Sequence, residues 1–207
     1  MVDYIHKLYG LMIFLTKKII MKKFILISFI TLTSIVANAN GIVFKSGDAS
    51  MLKKSDITVT VCFDYSNTEI EGKPAMTYLK EHGENFVKDW PKDNNELQKV
   101  FVQRWNKENK KGLQLTDDEK TEYRMVVTVT KLDMGSFGAS FVVGMGAGGA
   151  KMSGKIELFK KGNNEPSFVL DVDGQTGKSE WTEQQRRISL YKELADDAVD
   201  CLKDAIK

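Results

Sequence analysis

The chain is poor in the residues that mark specialised folds and chemistries. It holds two cysteines and three prolines in 207 residues, which excludes disulfide scaffolds, collagen-like chains and proline-rich disordered segments. Its histidines, His6 and His82, and its two separated cysteines, Cys62 and Cys201, are too few to build the usual multi-ligand zinc site. An excess of one charge sign is lacking too, with 30 basic against 28 acidic residues. There is also no apolar run of the ~20 residues a membrane-spanning helix needs, since Phe24 to Val36 extends for roughly 13. What is present, 42% hydrophobic and 28% charged, is an ordinary globular composition.

The stretch from Met21, MKKFILISFITLTSIVANAN, has the three parts of a secretory signal. Lys22 and Lys23 form its basic region, Phe24 to Val36 its apolar run, and Ala37-Asn38-Ala39 its small-residue cleavage site, so cleavage is expected after Ala39. No cysteine sits near that site for lipidation. Residues 1–20 carry a second apolar run, Tyr9 to Leu15. Either translation begins at Met21, or the two runs together form an N-terminal anchor; the complete signal behind Met21 favours the first. The leader is therefore 1–39, and a single domain is expected over 40–207. Residues 1–39 hold five basic residues and one acidic, leaving 25 basic and 27 acidic beyond them. No basic patch interleaved with aromatics remains, so nucleic acid is not an expected partner.

Hydrophobic periodicity then predicts the elements. Ile57 to Asp64 alternates, with Ile57, Val59, Val61 and Phe63 on one face and Cys62 on the other, as in a strand buried on one side. Pro74 opens a helix with Met76, Leu79, Phe86, Val87 and Trp90 on its buried stripe, and Pro91 is expected to end it. A second helix, from about Asn94 to Lys110, aligns Leu97, Val100, Phe101 and Trp105. Thr116 with Glu119 suggests a capped turn of helix. Three strands follow: Tyr123 to Met134, Lys151 to Phe159 and Ser167 to Asp173. Thr182 and Gln185 form a capping box for a last helix that buries Leu190, Leu194, Ala198, Cys201, Leu202 and Ala205. The expectation is an α+β two-layer sandwich, with roughly four antiparallel or mixed strands and helices on one face.

Seven of the sixteen glycines lie in Gly135 to Gly154, GSFGASFVVGMGAGGAKMSG. Gly144, Gly146 and Gly149 satisfy G-x-G-x-x-G, but a strand rather than a helix follows, so no dinucleotide site is read there. The plainest reading is a connection where missing side chains let backbones cross closely. Two others give the segment a function. One is a loop facing a partner or ligand, with Phe137, Phe141, Gly144, Gly146, Gly148 and Gly149 as its candidate residues. The other is a membrane hairpin over 136–153, since Gly135 to Gly149 has no charge; against it, Phe141-Val142-Val143 does not alternate as lipid- and lumen-facing residues must.

With that run between two strands, the chain resembles uncharacterised small bacterial envelope proteins carrying G-x-G-A-G-x-A. The layout over Tyr123 to Lys207 is similar to the periplasmic part of the curli secretion channel family. The resemblance implies an exported envelope protein and carries over no active site.

No catalytic set emerges. His82 reads as a helix-surface histidine, and no G-x-S-x-G elbow is present. Asp171-Val172-Asp173-Gly174 lacks the carboxylate a calcium loop needs at its twelfth position, where Thr182 stands; strand-end turn chemistry explains it better. Cys62 and Cys201 invite a disulfide in an exported protein, but strand parity sets Cys62 opposite the face that the last helix should cover, which disfavours the bond. No cofactor or metal is expected. The leading reading is a non-enzymatic periplasmic or cell-envelope module binding a protein partner or a small ligand, with homo-oligomers allowed. The alternatives are a pore or translocation subunit and a hydrolase of envelope polymers.

Overall fold

The computed structural model describes residues 41–136 and 148–207. Among the described residues, eight strands form one mixed sheet: β1 (Gly41–Gly47), β2 (Thr58–Asp64), β3 (Glu69–Ile70), β4 (Lys73–Pro74), β5 (Gln114–Thr116), β6 (Tyr123–Asp133), β7 (Lys151–Lys160) and β8 (Pro166–Thr176). Helices α1 (Ala75–Glu81), α2 (Glu84–Glu108) and α3 (Glu183–Ala205) accompany it, with a 3₁₀ turn at Ala49–Lys53. The main order is β1-β8-β7-β6-β2-β5, and β3 continues beside β6 where β2 has ended. The β1–β8–β7–β6 pairings are antiparallel, whereas β2 runs parallel to both β5 and β6.

The alternation read in the sequence sets the sheet's buried face. Val59 and Val61, Met125, Val127 and Val129, Ile156 and Leu158, and Phe168, Leu170 and Val172 are all buried. Against them pack Leu97, Phe101 and Trp105 of α2 and Leu190, Leu194, Ala198 and Leu202 of α3. Burying such side chains contributes about 1.5–3 kcal/mol each before entropy is counted. Arg104 of α2 and Asp196 of α3 tie the two helices by a two-pronged ion pair, both contacts 2.6 Å.

The sheet is larger than the four strands expected. The strands outside that expectation are the seven-residue edge strand β1 and the strands β3, β4 and β5, which at two or three residues are too short to alternate. Thr116 ends β5 instead of capping a helix; its hydroxyl accepts from the Asp118 N–H in a local turn. The helical break also falls elsewhere. Pro91 lies inside α2, while Gly83, at φ +110°, separates α1 from α2. A proline removes one helical hydrogen bond, but a residue in that backbone region leaves the helix altogether. Met76, Phe86 and Ala205, expected inside, are exposed. Asp171 to Gly174 lies within β8 rather than at a turn after it, and Asp171 pairs with Lys45 of β1 at 3.0 Å.

The helix α2 seals one edge of the sheet. Beyond Thr60 strand β2 has lost β5, and the Gln98 amide takes that place. It donates to the Val61 carbonyl at 3.1 Å and accepts from the Phe63 N–H at 3.3 Å, the pair of bonds one residue of a parallel strand would make. Two turns on, Asn106 does the same for β5, donating to the Leu115 carbonyl at 2.8 Å and accepting from its N–H at 2.7 Å.

Candidate functional site

The described ends of the glycine-rich segment meet at one place, where β6 leaves the sheet and β7 enters it. Gly135 has φ +69°, and a β-carbon on it would fall 2.4 Å from the Gly148 carbonyl oxygen. Gly149 is packed as closely against the Gly177 carbonyl, at 2.1 Å from where its β-carbon would lie. Only glycine permits three chain segments to cross at these separations. The Gly177 N–H completes the junction by donating to the Ala150 carbonyl at 2.9 Å.

A buried arginine holds this junction. Arg186, in the first turn of α3, is 7% exposed. Its Nε donates to the Met134 carbonyl (3.0 Å) and one terminal nitrogen to the Gly135 carbonyl (3.1 Å). The other terminal nitrogen reaches the carbonyls of Glu180 (3.1 Å) and Trp181 (3.4 Å). The planar fork of donors thus joins the root of the segment to the start of α3. The position of α3 is itself fixed by the expected capping box between Thr182 and Gln185.

Carboxylates surround the root. Glu71 accepts from the Met134 N–H at 2.8 Å, and Asp133 accepts from the Gly135 N–H at 2.7 Å. Partial burial raises the Glu71 carboxyl above its usual range; the Met134 N–H opposes this and the nearby Asp133 adds to it. Trp181, one residue before the α3 cap, is 74% exposed. The structure thus brings Gly148 and Gly149 together with Gly135, Arg186 and Trp181. Phe137, Phe141, Gly144 and Gly146 lie outside the described residues. Sequence reading missed Arg186, for an arginine in a first helical turn looks like a solvated charge.

The remaining candidates lie apart. His82 ends α1, with its Nδ1 2.8 Å from the Tyr78 carbonyl and its ring stacked on Tyr78 at 4.1 Å. Cys62 and Cys201 are not bonded to each other; Cys62 is exposed on the outer sheet face and Cys201 half-buried on α3, where burial pushes its thiol up. A polar cleft of about 870 Å³ opens near Cys62, bounded by Gln98, Arg124, Phe159 and Lys160. Of its acids, Glu122 is committed to Lys160 at 3.0 Å. Among the described residues, no group of three or more His, Cys, Asp or Glu could hold a metal, and no helix is long and apolar enough to cross a membrane.

No family model and no curated protein matches the chain. Among solved structures it is similar to the PelC dodecamer from Paraburkholderia phytofirmans, with a TM-score of 0.42 and 12% identity, covering 75% of this chain and 96% of that one. It is also similar to a Xanthomonas campestris protein of family DUF330, with a TM-score of 0.33 and 10% identity, covering 81% of this chain and 98% of that one. Neither neighbour is a curli secretion channel, and the expected likeness to that family is not shown by them.

Proposed function

We propose that the chain is a non-enzymatic, exported module of the bacterial cell envelope that binds another protein, or a small ligand, through its glycine-rich segment. The observation that carries this reading is the Arg186 junction. A charge-free apolar segment is costly to present to water, and here its two ends are fastened to the sheet and to α3 by a buried guanidinium and two close glycine contacts. Fixing the ends lowers the ordering cost of a loop that meets a partner. The signal-like leader supports export.

The exposed Trp181 beside the root supports a second reading, in which the segment enters a membrane, because tryptophan favours membrane–water interfaces. Liposome flotation with light-scattering chromatography separates the two. The full chain is expressed in a bacterium and its processed product purified. A monomer or small oligomer left in the lipid-free fraction supports the binding module. Co-flotation as a high-order oligomer overturns it in favour of a pore subunit.

A further inference from the structure

A second surface lies on the helical layer. Between α2 and the start of α3 is a groove of about 380 Å³. Its apolar wall comes from Phe86, Leu97 and Val100 of α2, which share one helical stripe, and from Ile188 of α3. Phe86 is 43% exposed there, although its stripe was expected to be buried. Asp93, Glu96 and Glu183 supply the charges of the rim. Among the described residues the groove's cation is Arg187, 5% exposed and already engaged: it lies over the Trp90 ring at 4.9 Å, donates to Asn94 at 2.8 Å and sits 4.0 Å from the Asp93 carboxylate, leaving Glu96 and Glu183 without a cation from the groove. The charge presented to a visitor is therefore negative, around an apolar floor.

We infer that this groove docks a basic amphipathic helix of a partner protein, its apolar face on Phe86, Val100 and Ile188 and its lysines or arginines over Glu96 and Glu183. The inference rests on the protein-binding reading above but uses a different surface. Charge complementarity selects the occupant. An acidic rim repels anionic lipid headgroups and acidic peptides, while a basic helix gains steering and register from it. Apolar anchors at i, i+3, i+4 and i+7 are what a groove between two helices accepts. The stripe from Phe86 to Val100 spans about 21 Å at 1.5 Å per residue, enough for four helical turns of a partner.

The test uses the processed full-chain product and a synthetic ~18-residue helical peptide of leucine and lysine, with a leucine–glutamate peptide as control. Titration calorimetry is read beside the NMR signal of the Trp90 indole, which Arg187 links to the groove. The basic peptide should bind and shift Trp90, and affinity should fall with salt. Glu96→Lys, at an exposed position, should weaken binding about tenfold, and Phe86→Ser likewise. Asp117→Lys, in the polar cleft that other residues of α2 (Asn95, Gln98 and Lys99) line, should not. Equal binding of both peptides, or wild-type affinity in Glu96→Lys, overturns the inference. So does capture by anionic vesicles that Glu96→Lys leaves unchanged. If Phe86→Ser does not fold, Glu96→Lys still decides. Replacing residues 137–147 by a short glycine linker separates the two proposals: the peptide should still bind, whatever the linker does to capture of a native partner.

Discussion

Arg186 and Arg187 are neighbours on α3, both buried, and they do different things. The first satisfies four main-chain carbonyls at the root of the glycine-rich segment, whereas the second stacks on Trp90 and leaves its Nε without a hydrogen-bond partner among the described residues. Removing a guanidinium that serves several buried acceptors leaves all of them unpaired. Arg186→Ala should therefore destabilise by roughly 3 kcal/mol, and Arg186→Lys should recover little, since one ammonium cannot span the same carbonyls. Arg187→Met should cost less, about 1–2 kcal/mol, because an apolar chain of similar length fills the space and removes an orphaned donor, and only the bond to Asn94 and the contact with the Trp90 face are lost. Urea midpoints at unchanged slope measure all three. Equal losses for Arg186→Ala and Arg187→Met would mean that the junction is no more than ordinary packing. Neither arginine was legible as a site. Their burial depends on which face of α3 meets the loop root, and spacing along α3 does not report it.

At the scale of elements, the long strands were legible because one buried face forces period two. The boundaries of β6, β7 and the capped start of α3 fall within a few residues of expectation. What escaped depends on tertiary partners. Gln98 and Asn106 look like the polar side of an amphipathic helix, yet they complete the hydrogen bonding of β2 and β5. Gln98→Leu should cost about 1–3 kcal/mol by orphaning the Val61 carbonyl and the Phe63 N–H. Hydrogen exchange at the Phe63 amide should quicken beyond the global change, and an unaltered Phe63 rate would show that β2 does not need the amide. The break in the helices is a second case. Proline is the stronger breaker by propensity, but Gly83 holds the φ of +110°. Gly83→Ala should destabilise by roughly 1–3 kcal/mol. Pro91→Ala, restoring a helical N–H inside α2, should not destabilise at all; thermal unfolding of the pair ranks the two positions.

At the scale of the whole molecule, the sheet and the helical layer meet in an aromatic cluster that crosses the domain. Phe63, near the end of β2, and Tyr65, just beyond it, pack with Phe101 and Trp90 of α2 and Tyr191 of α3. The hydroxyls of Tyr65 and Tyr191 bond to each other inside it. Burial raises the Tyr65 phenol well above its ordinary value, with Tyr191 adding to the effect. Burial also pushes Tyr191 up to about 12, although Tyr65 and Arg187 oppose it. Both tyrosines fold neutral, so stability tied to them is complete below the unfolded-chain value of about 10. Above it the unfolded chain ionises first, and that stability is lost as pH climbs toward 12. For Tyr191 alone, a displacement of that size corresponds to about 2–3 kcal/mol. Lysines titrate over the same range, so the comparison must be with a variant in which only the pair is gone. In Tyr65→Phe/Tyr191→Phe both hydroxyls leave together and no partner is orphaned, so stability at pH 7 should change little. Its loss of stability from pH 9 to 11.5 should be visibly shallower than that of the unsubstituted protein. Parallel decline in the two proteins would mean that the phenols reach solvent, and that sheet and helices are not joined by a dry core at this point.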